Sequence, residues 1–283
     1  MQRLYPLFFV FLWSTGFIGA KYGLPHAEPL SFLLTRYAFV IALMTAIALA
    51  TRAPWPQAPA QWLHIAVSGL LVHAVYLGGV FVAIKHGLPA GVTALVVGMQ
   101  PLLTAVSAGW LLGEKVSDRQ WAGLGLGLLG VGLVVSGKFG DTALGPMLIP
   151  ALVALLGITA GTLYQKRFCA SFDLRSGSVI QFVPTAIATA IAVALFEDYR
   201  IEWTGDFLFA LGWLVLVLSI GAISLLNLLI RGGSAVNVAS LFYLTPPTTA
   251  LIAWAVFGEK LTLTAGIGML VAVGGVYLVA SRK

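Results

Sequence analysis

The sequence predicts an all-α integral membrane protein in which ten transmembrane helices form two inverted five-helix repeats around a central cavity. Three observations carry that expectation. Of 283 residues, 59% are hydrophobic and only 9% charged, whereas a soluble domain carries about 25% charged residues. The apolar residues come in long runs, each near the roughly 20 residues an α-helix needs to span a bilayer, and not in the short alternating segments of a β-barrel. The chain also repeats itself. Gly87 to Lys138 is written again, without a gap, from Gly232 to Lys283, and roughly a third of the aligned positions are identical.

The duplication sets the organisation. Pro101 recurs as Pro246, Thr104-Ala105 as Thr249-Ala250, Gly113-Glu114-Lys115 as Gly258-Glu259-Lys260 and Gly130 as Gly275, each pair 145 residues apart. Carried towards the N-terminus, the same offset sets Gly16 against Gly161, Lys21 against Lys166 and Ser31 against Ser176. Residues 1–138 then form the first repeat, 139–145 a connecting loop and 146–283 the second repeat.

The spans follow in order. The first, Leu4 to Tyr22, leads into a lysine and lacks the small-residue cleavage site of a signal peptide, so it is expected to be retained. Pro25 and Pro29 separate it from the second, Leu30 to Ala50. The Pro54-Trp55-Pro56 run precedes the third, Trp62 to Ile84, and Gly87 precedes the fourth, Pro89 to Leu112, which Gly113 ends. The fifth, Arg119 to Ser136, carries a stripe of Gly123, Gly127 and Gly130. Its counterpart in the tenth, Leu263 to Ala280, is Gly268, Ala272 and Gly275; such stripes permit close helix contact and read as scaffold. Gly145-Pro146 opens the sixth, Pro146 to Tyr164. The seventh is Gly177 to Phe196, the eighth Phe207 to Leu229 after Gly205, and the ninth Ala235 to Phe257, ended by Gly258.

Five spans per half is an odd number, so the second half enters the membrane upside down relative to the first. Such inverted repeats typify secondary transporters, whose site lies near the midplane between repeats. Lys and Arg favour the cytoplasmic side of membrane proteins. With the N-terminus inside, that side holds Arg3, Arg52, Lys115, Arg119, Lys166, Arg167, Arg175, Arg231, Arg282 and Lys283, against Lys21, Lys85, Lys138, Arg200 and Lys260 outside. Both termini are therefore expected in the cytoplasm.

The same charges are scattered singly at span ends, which argues against a nucleic-acid partner despite a net charge of +6. Cys169 is the single cysteine, so no intramolecular disulfide or cysteine metal cluster is expected. The four histidines are dispersed and no HExxH motif occurs, which leaves no catalytic or metal residues and no cofactor to predict. Two readings stand beside a transporter: a membrane enzyme, which these residues do not furnish, and a non-transporting scaffold subunit, which has no need of polar residues in mid-span.

The pattern from Ala90 through Pro101 to Gly113-Glu114-Lys115 and Gly130, repeated from Ala235 through Pro246 to Gly258-Glu259-Lys260 and Gly275, resembles the EamA family of the drug/metabolite transporter superfamily. Leu12-Trp13-Ser14-Thr15-Gly16-Phe17, followed by Arg36-Tyr37, is similar to that family's first helical hairpin. The resemblance covers the whole chain, and within the family it is nearest the YddG group of bacterial amino-acid exporters. It implies export of aromatic and other amino acids across the bacterial inner membrane by a monomer or homodimer, with a carrier of other drugs or metabolites as the alternative.

Polar side chains in hydrocarbon are costly unless they face a cavity or a partner. On that ground the substrate-binding candidates are Trp13, Ser14, His73, Tyr76, Gln100, Tyr164, Ser224, Asn227, Tyr243 and Thr245, on spans one, three, four, six, eight and nine. Trp13 lies too deep for the interfacial aromatic belt and would stack on an aromatic substrate or in the core. Pro101 and Pro246 are candidate hinges, since a proline in mid-helix frees the carbonyl four residues earlier. Arg36, two turns into its span, is expected to snorkel outward or meet a helix end. Glu114-Lys115 is expected to cap its own helix and mark a membrane stop.

Overall fold

The computed structural model describes residues 4–88, 90–136, 146, 148–169, 171–257 and 261–281. Arg3, Pro89, Lys138, the 139–145 joint, Gly258-Glu259-Lys260, Arg282 and Lys283 lie outside the described residues. The chain is all-helical among them, apart from a single bridge between Ala27 and Ile201. In order, the helices are α1 (Tyr5–His26), α2 (Pro29–Ala50), α3 (Pro59–Lys85), α4 (Thr93–Leu112), α5 (Asp118–Ser136), α6 (Leu148–Phe168), α7 (Leu174–Phe196), α8 (Gly205–Gly232), α9 (Ala235–Val256) and α10 (Leu263–Ala280).

Nine of these described helices are long and apolar enough to cross a membrane. The exception is α5, which opens on Asp118, Arg119 and Gln120. Trp110, Leu195, Leu263, Leu270 and Tyr277 point outwards and are mostly uncovered. Apolar faces of that extent on a folded surface signify contact with lipid.

Helix starts are fixed by carboxylates and hydroxyls. Pro29 occupies the first turn of α2, where its missing N–H costs nothing. The free N–H groups of Leu30 and Ser31 donate to the Glu197 carboxylate at 2.9 and 2.8 Å, and the Ser31 hydroxyl joins them at 2.9 Å. Asp173 caps α7 by accepting from the Arg175 N–H at 2.9 Å. The Arg175 guanidinium lies on that same carboxylate and holds its pKa below the usual range. Glu114 departs from expectation. It does not cap its own helix, which ends on Gly113 in the left-handed conformation (φ 68°); its carboxylate accepts instead from Ala235 N–H at the start of α9, at 2.9 and 3.1 Å. A helix N-terminus has unsatisfied donors and a positive dipole, whereas a C-terminus offers a carboxylate neither.

Two pairs of helices that match under the 145-residue offset pack antiparallel. In the pair α2 and α7, the end of α7 meets the start of α2 through Glu197, and the start of α7 meets the segment after α2 through Ser176 Oγ, which donates to Pro54 O at 2.6 Å. In the pair α5 and α10 the small-residue stripes interlock. A methyl added at Gly123 would come within 2.7 Å of Gly275 O, and one at Gly268 within 2.7 Å of Gly130 O. The main core gathers α1, α2, α3, α7 and α8, and a second cluster joins Ala105, Leu124, Val131, Tyr243 and Val276.

Four interruptions recur in matched places. Both α3 and α8 widen into π-helical turns, at Leu70–Leu77 and Leu214–Ala222. In α4 the helix breaks between Val97 and Gln100, and in α9 a 3-10 turn occupies Leu241–Leu244. Pro101 and Pro246 stand just after these breaks, buried. Helices lose regular bonding at a proline or a π-bulge, and such places often border functional sites.

Candidate functional site

Two cavities lie back to back in the bundle. The first, about 480 Å³ counting the space at its open side, lies between α1, α2, α3 and α8 and is lined by Trp13, Arg36, Tyr76, Phe81, Leu214 and Leu218 among others. The second, about 240 Å³, lies between α4, α6, α8 and α9, with Gln100, Thr162, Lys166 and Phe242 on its wall. Trp13 faces the first and Phe242 the second, and their rings meet edge to face at 5.3 Å. Phe9 completes the cluster at 5.2 Å from Trp13 and 5.3 Å from Phe242, and Tyr76 stacks on Trp13 at 6.2 Å. Aromatic rings thus form the partition between the two spaces.

Arg36 was expected to snorkel or to meet a helix end, and it does neither. It is 3% exposed, about 10 Å along α2 at 1.5 Å per residue. Its Nε donates to Ser219 Oγ at 2.9 Å, on the π-helical turn of α8. Its two terminal nitrogens have no hydrogen-bond partner among the described residues, and no described carboxylate lies within ion-pair distance. The effective penalty for a buried ion is roughly several kcal/mol, recovered only through good partners. The guanidinium turns inward to the cavity, held through Nε by Ser219.

The second cavity sets Gln100, Thr162 and Lys166 in an otherwise apolar wall, with no acid among its lining residues. Lys166 Nζ donates to the carbonyls of Ile230 and Gly233 at 2.8 and 2.6 Å and so closes the end of α8. Beside it Gln165 Nε2 donates to Asn227 Oδ1 at 2.8 Å, both side chains being buried. Gln100 Nε2 reaches Thr162 Oγ1 at 3.4 Å, while its Oε1 and the Nδ2 of Asn227 are buried without a partner. Buried polar atoms are rarely left so, and each orphan costs about 1–3 kcal/mol.

The structure therefore brings Trp13 and Tyr76 to the first cavity and Gln100 to the second, with Asn227 adjoining through Gln165. Ser14 bonds back to Val10 O at 2.7 Å and sits 3.3 Å from Thr245 O, which ties α1 to α9. Thr245 and Tyr243 are buried with unpartnered hydroxyls, the Tyr243 ring filling the space beside Gly127. His73 stacks on Phe182 at 4.2 Å, with both ring nitrogens unpartnered. Tyr164 lies apart, its hydroxyl 2.7 Å from His64 Nδ1. Ser224 lines neither of these two cavities. Cys169 is buried among Ile65, Phe172 and Ile180, and burial pushes its thiol up to about 11.

Ser219, Gln165, Lys166 and Phe242 line or adjoin these cavities although they are not among the sequence candidates, and in sequence Arg36 reads as structural. The one available signal was a lone arginine within an apolar run with no acidic residue at helical spacing. The others are ordinary span residues until the fold sets them together.

A bundle of apolar helices around largely apolar cavities that carry a few buried polar groups defines a multi-pass membrane protein of the transporter type. A family model, the EamA-like transporter family, matches residues 4–136 and again 145–281, and the chain belongs to that family. It is 27% identical to YvbV, an uncharacterised transporter of Bacillus subtilis (strain 168), over 98% of this chain and 90% of that one. It is equally 27% identical to YedA, an uncharacterised inner membrane transporter of Escherichia coli (strain K12), over 100% of this chain and 93% of that one. A probable amino-acid metabolite efflux pump of Escherichia coli (strain K12) is 25% identical over 96% of this chain and 92% of its own. A crystal structure at 22% identity superposes with a TM-score of 0.78 over 99% of this chain and 96% of the other, which shows a shared fold.

Proposed function

We propose that the protein exports amino acids or closely related small metabolites by alternating access, with ten membrane-crossing helices in two inverted repeats and both termini in the cytoplasm. The observation that carries this reading is the pair of cavities sharing one aromatic wall. A carrier needs a site that meets one side of the membrane at a time, and a thin partition is what rocking one repeat against the other would open and reseal. The antiparallel packing of α2 with α7 and of α5 with α10 supports the inversion, since helices matched by the repeat then run in opposite directions. It also supports α5 as the tenth crossing, because α5 lies along α10, which is long and apolar enough to span. The likeness to an amino-acid metabolite efflux pump favours amino acids as the cargo.

The test is flux. Purified protein in proteoliposomes is loaded with unlabelled amino acids and offered a panel of labelled ones. Counterflow of at least one of them is the expected result; a rate no higher than that of empty liposomes across the whole panel would sink the carrier reading.

A further inference from the structure

We propose that Arg36 is the anion-binding group of the first cavity and that its ligand is a small carboxylate with an apolar body, an inference that rests on the carrier reading above. Three features lead there. The guanidinium is almost wholly buried yet lines open space, with Nε held by Ser219 Oγ at 2.9 Å and both terminal nitrogens unpartnered among the described residues. The eight described acidic residues all lie in loops or at helix ends, so no carboxylate of the chain is placed to neutralise it. Apart from the indole of Trp13 and the phenol of Tyr76, the remaining walls are hydrocarbon: Leu77, Val80, Phe81, Leu214, Leu218 and Ile223.

A planar fork of N–H donors matches a carboxylate in two parallel hydrogen bonds. A single negative charge balances a single guanidinium, whereas a phosphate dianion would bring one charge too many into an apolar space, where an unpaired charge is strongly disfavoured. The aromatic rings on its wall provide faces for a flat or branched side chain.

The matched position in the second half supports the assignment. Gln181 stands where the offset places Arg36. It is neutral, its Nε2 donates to Ser68 Oγ at 3.1 Å, and the α3 backbone at Gly69 closes on it. The cation occurs where the cavity is, and the neutral amide where the space is filled.

The experiment uses matched ligands and two readouts. Thermal stabilisation of the purified protein in nanodiscs is measured with L-phenylalanine against L-phenylalaninamide and phenethylamine, with 3-phenylpropanoate against 3-phenylpropanamide, and with inorganic phosphate. Counterflow is measured in proteoliposomes with the same amino acid and its amide. We expect the carboxylates to bind at least roughly tenfold more tightly than the amides or amine, as loss of a charge-assisted bond predicts. In Arg36→Gln that preference should vanish without any fall in the unliganded melting temperature, and Arg36→Lys should restore part of it.

Equal stabilisation by carboxylates and their carboxyl-free partners, or stabilisation by phosphate alone, overturns the proposal while leaving a carrier possible. Stabilisation by carboxylates without counterflow upholds the site and overturns the carrier reading. No stabilisation by any carboxylate overturns the proposal whatever the flux. Should Arg36→Gln fail to fold, the ligand comparison on the native protein decides alone.

Discussion

Arg36 and Gln181 hold equivalent places in two helices that pack antiparallel, and they have opposite fates. The guanidinium bonds once, to Ser219, and faces open space. The amide donates to Ser68, sits 1% exposed and is met by α3 where Gly69 lets the backbones touch. The π-helical turns at Leu70–Leu77 and Leu214–Ala222 show how alike the two frames remain, since they coincide to within a residue under the same offset that sets Arg36 against Gln181. Duplication has thus preserved backbone irregularity while the side chains diverged. One half provides a charged hollow, and the other provides a packed wall against which that hollow is built.

The largest expected effect comes from forcing the two halves to be alike. Gln181→Arg places a guanidinium where neither described cavity lies and no acid is at hand. An uncompensated buried charge costs about 3–5 kcal/mol, so the variant should lose most of its folded yield and melt far below the native protein. The reverse change, Arg36→Gln, removes a buried cation that has no ion-pair partner among the described residues and should raise the melting temperature. If Gln181→Arg melts like the native protein, the second half has room for a cation and the contrast drawn above collapses.

Next comes a place where the halves should respond alike. The α5–α10 seam is shared equally: a methyl at Gly130 would overlap the Ala272 backbone, and one at Gly275 the Gly127 backbone. Backbone has no rotamer with which to yield, so Gly130→Val and Gly275→Val should each cost about 3 kcal/mol, the upper end of ordinary overpacking. Melting curves that separate the two variants widely would show the seam to be less symmetric than its glycines.

Much of this architecture was legible in the sequence. Apolar runs cut by Pro and Gly located the helices, with ends shifted by a few residues: α3 begins at Pro59 and not at Trp62, and α8 runs from Gly205 to Gly232. The small-residue stripes of α5 and α10 announced close contact, and they make it. The π-helical turns left no trace, because a widened turn changes which residues bond and not which are apolar. Glu114 was misassigned because a carboxylate beside a helix end looks the same in sequence whether it serves that helix or one 121 residues away. Arg36 was undervalued for a related reason: Ser219, its single described hydrogen-bond partner, is 183 residues distant, and emptiness around a side chain cannot be read from its neighbours in the chain.

A smaller effect tests the second cavity against the first. Gln165 and Asn227 are joined at 2.8 Å and buried. Asn227→Ala leaves the Gln165 amide without its acceptor, at about 1–2 kcal/mol, while removing both amides at once should cost less than the sum. If the pair is only a helix tie, the double variant should transport nearly as well as the native protein. If the pair takes part in the path, flux should fall in every combination, together with that of Gln100→Ala. A double-mutant cycle scored on both melting temperature and counterflow separates the two cases.

The smallest expected effect is none at all, and it concerns energy coupling. Proton-driven carriers need a titratable group within the membrane, commonly Asp or Glu, yet all eight described acidic residues lie at helix ends or in loops. His73 is the remaining candidate, since histidine ordinarily titrates near pH 6.5. Its surroundings do not suit a proton relay. The ring stacks on Phe182 at 4.2 Å, and neither nitrogen has a partner at hydrogen-bond distance among the described residues. A relay requires a donor and an acceptor in contact with the ring. Substrate should therefore only equilibrate in proteoliposomes given a pH gradient at zero membrane potential, and His73→Gln should behave as the native protein does. Accumulation above the external concentration in the native protein, abolished in His73→Gln, would make His73 the coupling residue and would require water to reach it in another conformation; accumulation that survives the change would place the proton site elsewhere.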